Sequence, residues 1–167
     1  MISGITPGSL LQHVSEERLV DTARELVDIS SPTGHELEMA EHMRALFAEL
    51  GLSIAWQEVE QDRPNVVGTL AGEGGGRSVM FNGHMDTSYS GSEPHLRGIG
   101  FRPSAVVKEG RVWGLGISNM KGALSCYLEA IRALIDSGLR LRGDVTIAAV
   151  VGEIEKTQWG EEFRGRD

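Results

Sequence analysis

The sequence predicts an α/β domain, with a mixed, largely parallel sheet in a three-layer α/β/α arrangement. Three observations point there. Amphipathic helical patterns alternate with strand-like runs, the stretch 145–151 is apolar at nearly every position, and that stretch follows the longest helical pattern. A strand that is apolar toward both sides is one covered on both faces, which fits a layered α/β fold better than a bundle or a sandwich. With 167 residues, the chain has room for one such domain.

The elements follow in order. Over residues 15–29, Leu19, Ala23, Leu26 and Val27 recur at helical spacing, and Glu16 and Glu17 suit the positive end of the helix dipole. The run 30–34 is a loop by composition. A second helix carries Leu37, Ala40, Met43, Phe47 and Leu50 on one face and closes at Gly51. Leu52, Ile54 and Trp56 alternate with smaller or polar neighbours as in a half-wet strand, and 65–70 and 78–82 read as further strands. The glycine-rich 72–77 joins the last two as a hairpin turn. No Gly-Lys-Ser/Thr follows it, so a phosphate loop is set aside.

Residues 91–102 form an irregular loop, and 106–107 and 111–113 pair as a short hairpin across Lys108, Glu109 and Gly110. The long helix covers about 120–137, with Leu124, Leu128, Ile131, Leu134 and Ile135 toward the core and Gly138 at its end. The final stretch, 156–167, is polar and aperiodic.

Charge and cysteine use exclude several classes. The net charge is -8 and the basic residues are scattered, so no electrostatic footprint for nucleic acid exists. A single cysteine, Cys126, forbids an intrachain disulfide; falling at helical spacing among alanines, it reads as a buried small residue. Residues 1–11 lack the basic and apolar regions of a signal peptide, and no apolar run reaches membrane-spanning length. A cytoplasmic address without membrane association follows by default.

Three segments carry chemistry. Asn82-Gly-His-Met-Asp-Thr87 stands at a strand end, where an extended backbone turns His84 and Asp86 to one side and Met85 to the other. An imidazole with a carboxylate beside it suits metal binding, the carboxylate either meeting the metal environment or orienting the base. The second segment is the glycine-rich turn 114–122 entering the long helix, where Asn119 also suits a plain N-cap and Lys121 a solvated position. The third follows the apolar strand: Glu153 and Glu155 share a face if the backbone stays extended, although paired surface glutamates read the same way.

Taken together, and with Ser31-Pro-Thr-Gly-His-Glu36 before the second helix, these ordered motifs resemble the acetylornithine deacetylase and succinyl-diaminopimelate desuccinylase family of zinc metallopeptidases and aminoacylases. The resemblance implies a hydrolase with two zinc ions, or cobalt in their place, cleaving amides of N-acylated amino acids or small peptides. It implies His84 as ligand to one metal, Asp86 as the carboxylate orienting that histidine, Glu153 as general base and Glu155 as ligand to the other metal. Asn119 stands where the family has a bridging aspartate, and Ile154 separates glutamates that are adjacent there. The roles of Glu153 and Glu155 are therefore interchangeable at this point. Asn119 also keeps open a noncatalytic relative that binds metal or an amino-acid-like ligand.

By the same resemblance, residues 1–167 are the amino-terminal part of the catalytic domain. A further acidic ligand, a late histidine ligand and an inserted lid and dimerisation domain are expected further along, giving a homodimer. The 167-residue chain alone is expected to be inactive.

Overall fold

The computed structural model of the chain describes residues 7–154. The helices are α1 (Pro7–Leu10), followed by a 3-10 turn (Leu11–His13), α2 (Glu16–Asp28), α3 (Leu37–Glu49) and α4 (Gly122–Asp136). The strands are β1 (Ser53–Glu60), β2 (Arg63–Leu70), β3 (Val79–His84), β4 (Val106–Lys108), β5 (Arg111–Trp113) and β6 (Val145–Val150). Ser15 caps α2 by accepting the Arg18 N–H at 3.2 Å, which explains why the helix starts there. Gly51 follows α3 with φ +68°, the left-handed residue that ends a helix without a Cβ clash.

The main sheet has the order β1-β2-β6-β3, and β4 and β5 form a separate hairpin. The sheet is mixed, as the sequence predicts. Both β1–β2 and β2–β6 are antiparallel and only β6–β3 is parallel, so the antiparallel share is larger than anticipated. The glycine-rich run 72–77 is not a hairpin turn, because β6 lies between the two strands it connects. Its glycines instead allow close passage beside the segment that enters β6. A Cβ on Gly72 would sit 2.5 Å from the Gly143 carbonyl, and one on Gly76 2.6 Å from Arg142. Strand periodicity reports a face but not a partner, and a strand 75 residues later took the place between them.

One face of the sheet carries the helices. The register aligns Val66 with Ala149, Gly68 with Ile147 and Gly83 with Ala149, so these residues point the same way. The Phe47 ring of α3 lies over Gly68, where a Cβ would approach it to 2.6 Å, and Leu124 of α4 lies over Gly83, where the figure is 2.7 Å. Strand glycines thus bring both helices close to the sheet. Leu26, Met39, Met43, Phe47, Leu124, Leu128, Ile131 and Ile147 make the core between these layers. The other face keeps Met80 60% exposed, and the second helix layer of a three-layer arrangement has no counterpart among the described residues.

Two details of α4 depart from expectation. Cys126 is exposed, because it lies two residues from both Leu124 and Leu128, about 200° around the helix from the face that meets the sheet. Ile135 is 40% exposed in the last turn, beyond the reach of the core. Among the described residues, no helix is long and apolar enough to cross a membrane.

The seating of α3 is testable. Phe47→Ala is expected to lower stability by about 3–5 kcal/mol through loss of buried ring and a cavity. Gly68→Ala is expected to cost about 1–3 kcal/mol by overpacking the same contact. Urea unfolding midpoints measure both; losses below about 1 kcal/mol in each would mean that α3 does not rest on β2 as described.

Candidate active site

The parallel pairing of β3 and β6 ends with His84 opposite Val150, and the Met85 N–H extends it by donating to the Val150 carbonyl at 2.8 Å. Two strand ends therefore stop side by side, the place where open α/β sheets carry their chemistry. Gly83 lets α4 approach, and His84 follows directly.

His84 is buried and its two ring nitrogens face different partners. Nδ1 lies 3.0 Å from the Asp86 carbonyl oxygen and 3.3 Å from Asp86 Oδ1. Nε2 lies 3.0 Å from Asn119 Oδ1 and 3.8 Å from Glu153 Oε2. Each ring nitrogen thus faces two oxygens, and the protonated imidazolium can donate on both sides, through Nδ1 to Asp86 and through Nε2 to Asn119. Burial opposes protonation of His84, but hydrogen bonds with Asp86 and Asn119 outweigh it and hold the pKa above the ordinary imidazole value.

Asp86 is 1% exposed and surrounded by donors. Thr33 Oγ1 donates to Oδ2 at 2.7 Å, the Ile154 N–H to Oδ2 at 2.9 Å and the Glu153 N–H to Oδ1 at 3.1 Å. Burial alone would raise the pKa of this carboxyl; hydrogen bonds from His84, Thr33 and the two amides win and pull it down to about 2. Glu153 is different: its side chain is 53% exposed, so it faces the open side of the site. An open cavity next to Asn119 is lined by Tyr89, Phe101, Gly116, Ser118 and Ile154.

Asn119 is not the N-cap of α4. It lies in an irregular turn (Ile117–Lys121) ahead of the helix, with φ −147° and ψ 93°, and its peptide bond to Met120 is cis. That extended backbone carries its side chain to His84 instead of back over the helix end. Lys121 is not solvated either. It is 1% exposed, its ammonium donates to the Ile29 carbonyl at 2.6 Å, and burial lowers its pKa to about 7 against the opposing charge of Asp28. The reason is topological: the turn lies against the end of α2, so the lysine side chain runs inward to the Ile29 carbonyl.

Of the residues singled out from sequence, His84, Asp86, Asn119 and Glu153 therefore converge. Glu155 lies outside the described residues. Gly152, with φ +70°, ends the extended run on which a shared face for the two glutamates depended. Ser31 and Thr33 were quoted within a motif but given no task; Ser31 Oγ donates to the Met85 carbonyl at 2.8 Å, and Thr33 serves Asp86. Polar residues in a short loop directly before a helix were the only available signal.

The donor set fits a divalent cation. Two ligands about 2.0–2.1 Å from zinc at tetrahedral angles are about 3.4 Å apart. The separation from Nε2 to the Asn119 oxygen, 3.0 Å, is a few tenths of an ångström short of that value. Among the described residues, no group of three His, Cys, Asp or Glu side chains is gathered as a metal site. The donors at ligand spacing are one imidazole nitrogen and one neutral amide oxygen, with the exposed Glu153 carboxylate 3.8 Å from that nitrogen.

Comparison with known proteins bears on the family and the fold. The family model described as peptidase family M20/M25/M40 matches residues 80–160, the segment that holds His84, Asp86, Asn119 and Glu153. An N-formyl-4-amino-5-aminomethyl-2-methylpyrimidine deformylase of Bacillus subtilis (strain 168) is 31% identical over 153 residues, 87% of this chain and 35% of its own length. A probable succinyl-diaminopimelate desuccinylase of Staphylococcus epidermidis is 27% identical over 152 residues, 90% of this chain and 36% of its own. The crystal structure of an M20 family metallo-carboxypeptidase, Sso-CP2 from Sulfolobus solfataricus, superposes with a TM-score of 0.67 at 20% identity, covering 80% of this chain and 30% of that one. The chain thus spans about a third of the length of the curated relatives it matches. Sequence similarity over most of the chain points the same way as the family match, and residues 80–160 are those of an M20/M25/M40 peptidase family domain.

Proposed function

We propose that this chain contributes one side of a dinuclear metallohydrolase site that cleaves amide bonds in N-acylated amino acids or small peptides. The observation that carries the reading is the meeting of His84, Asp86, Asn119 and Glu153 at two adjacent strand ends. The relatives named above, a deformylase and a probable desuccinylase, support removal of a small acyl group. Zinc is the metal the donors suit best, with cobalt as the alternative. In this reading, Glu155 and residues further along a chain of the relatives' length complete the second metal's ligands. A homodimer in the cytoplasm is the expected working form, and the 167 residues alone lack activity.

Bound divalent cations would polarise the amide carbonyl and lower the pKa of the attacking water. The chain's own residues do the rest. Asp86 accepts a hydrogen bond from His84 Nδ1–H, which favours the tautomer whose Nε2 lone pair is free and would hold a cation. Glu153, exposed beside Nε2, takes the proton from the attacking water on its carboxylate and delivers it to the departing amine nitrogen. Asn119 offers an uncharged oxygen where the family resemblance implies a carboxylate, so this residue would hold a second cation more weakly.

That neutral amide also favours a second reading, a noncatalytic relative that binds metal or an amino-acid-like ligand. Metal analysis together with hydrolysis of a panel of N-acyl amino acids separates the two: metal with turnover supports the hydrolase, and metal or ligand binding without turnover supports the relative.

Three outcomes are expected. Glu153→Gln should lower kcat of the full-length protein by about 100-fold or more; near-normal turnover would remove Glu153 from the role of base. Asn119→Asp should bind the second equivalent of zinc more tightly in a calorimetric titration, whereas equal affinity and stoichiometry in both forms would contradict the account of Asn119. The metal-free protein should lose stability on acidification through Asp86. Its carboxylate has a lower pKa folded than unfolded, so its contribution, of the order of 2 kcal/mol, is present above pH 4 and lost as pH falls toward 2. An Asp86→Asn protein whose melting temperature follows the same curve over that range would show that Asp86 is not the group responsible.

A further inference from the structure

Where β6 ends, the next four backbone amides are each taken by a side-chain oxygen. The Val151 N–H donates to Asn65 Oδ1 at 3.0 Å and the Gly152 N–H to Glu36 Oε1 at 3.2 Å. The Glu153 and Ile154 amides go to the two oxygens of Asp86. These acceptors come from three separate places: β2, the residue before α3, and the segment after β3. A turn left to itself would satisfy such amides with water or with its own carbonyls.

Glu36 is wholly buried and is matched by a guanidinium in a forked pair. Arg63 Nε donates to Oε2 at 3.0 Å and Nη2 to Oε1 at 2.8 Å, while Nη1 reaches Glu60 at 3.2 Å. A buried ion pair is an inefficient source of stability, because apolar residues of like volume serve a core as well or better. Its geometric consequence is specific, however: it places a charged acceptor under the Gly152 amide. Gly152 itself has φ +70°, and a Cβ there would lie 3.0 Å from Arg63 Nη2, so both the backbone conformation and the space require glycine.

We infer that Asn65 and Glu36 are positioning residues which, with Asp86, clamp the backbone of residues 151–154 and so set the direction in which Glu153 is presented, Arg63 serving as the countercharge that lets Glu36 be buried. The consequence for catalysis rests on the role given to Glu153 above; the clamp itself does not.

Two double variants of the full-length protein isolate the acceptor. Glu36→Gln with Arg63→Met keeps an oxygen at the Gly152 amide and removes the charges, whereas Glu36→Met with Arg63→Met also removes the oxygen. The first is expected to keep kcat within about threefold of the parent. The second is expected to lose about tenfold or more in kcat with KM within about threefold, because a displaced base slows the chemistry without removing substrate contacts. Amide hydrogen exchange over residues 151–154 of the metal-free protein should rise about tenfold or more in the second variant alone. Equal kcat and equal exchange in the two variants would overturn the proposal. Raised exchange with unchanged kcat would keep the clamp and reject the assignment of Glu153 as base, so the two failures are told apart. If the second variant does not fold, Asn65→Ala serves instead: faster exchange at Val151 and a kcat loss of about threefold or more support the clamp, and unaltered exchange refutes it.

Discussion

A carboxylate with almost no exposed surface stays charged only if every lone pair is answered, and Asp86 meets that condition. Its donors are a hydroxyl from the loop before α3, two amides from the turn after β6 and the imidazole of His84 two residues back. Three parts of the chain that are far apart in sequence are joined at one side chain. The orientation of His84 and the course of the backbone at Glu153 are both consequences of that join. A neutral residue of the same size would leave Nδ1 without its charged partner and the two amides with a poorer acceptor.

The sheet explains why the join is where it is. Among the described residues, β3 and β6 are the only parallel neighbours in the main sheet, so their carboxyl ends stop together. In an antiparallel pair the end of one strand meets the start of the other, and the two segments would leave from opposite ends. Glycine at 68 and 83 then lets α3 and α4 settle close to the strands, which brings the amino-terminal approach to α4, with Asn119, into reach of His84.

That approach is the least regular stretch near the site. Lys121 runs inward to a carbonyl at the end of α2, anchoring one side of the turn while Asn119 faces the other. The family resemblance places a carboxylate at Asn119, and the amide keeps the donor oxygen while giving up the charge.

Local pattern determined the elements. Helical spacing located α2, α3 and α4, alternation located β1, and a nearly continuous apolar run located β6; each is a property of a dozen residues that any context would respect. The chemical residue types were equally legible: His84, Asp86, Asn119 and Glu153 stood out as ordered motifs, and four of the five residues singled out meet in space. What only the tertiary structure decided was pairing. The place of β6 between β2 and β3, the inward course of Lys121 and the union of Glu36 with Arg63 all depend on contacts between distant segments. Periodicity states that a residue has a buried side or a polar function; it carries no information about which remote group will answer it, because that choice is made by the packing of whole layers.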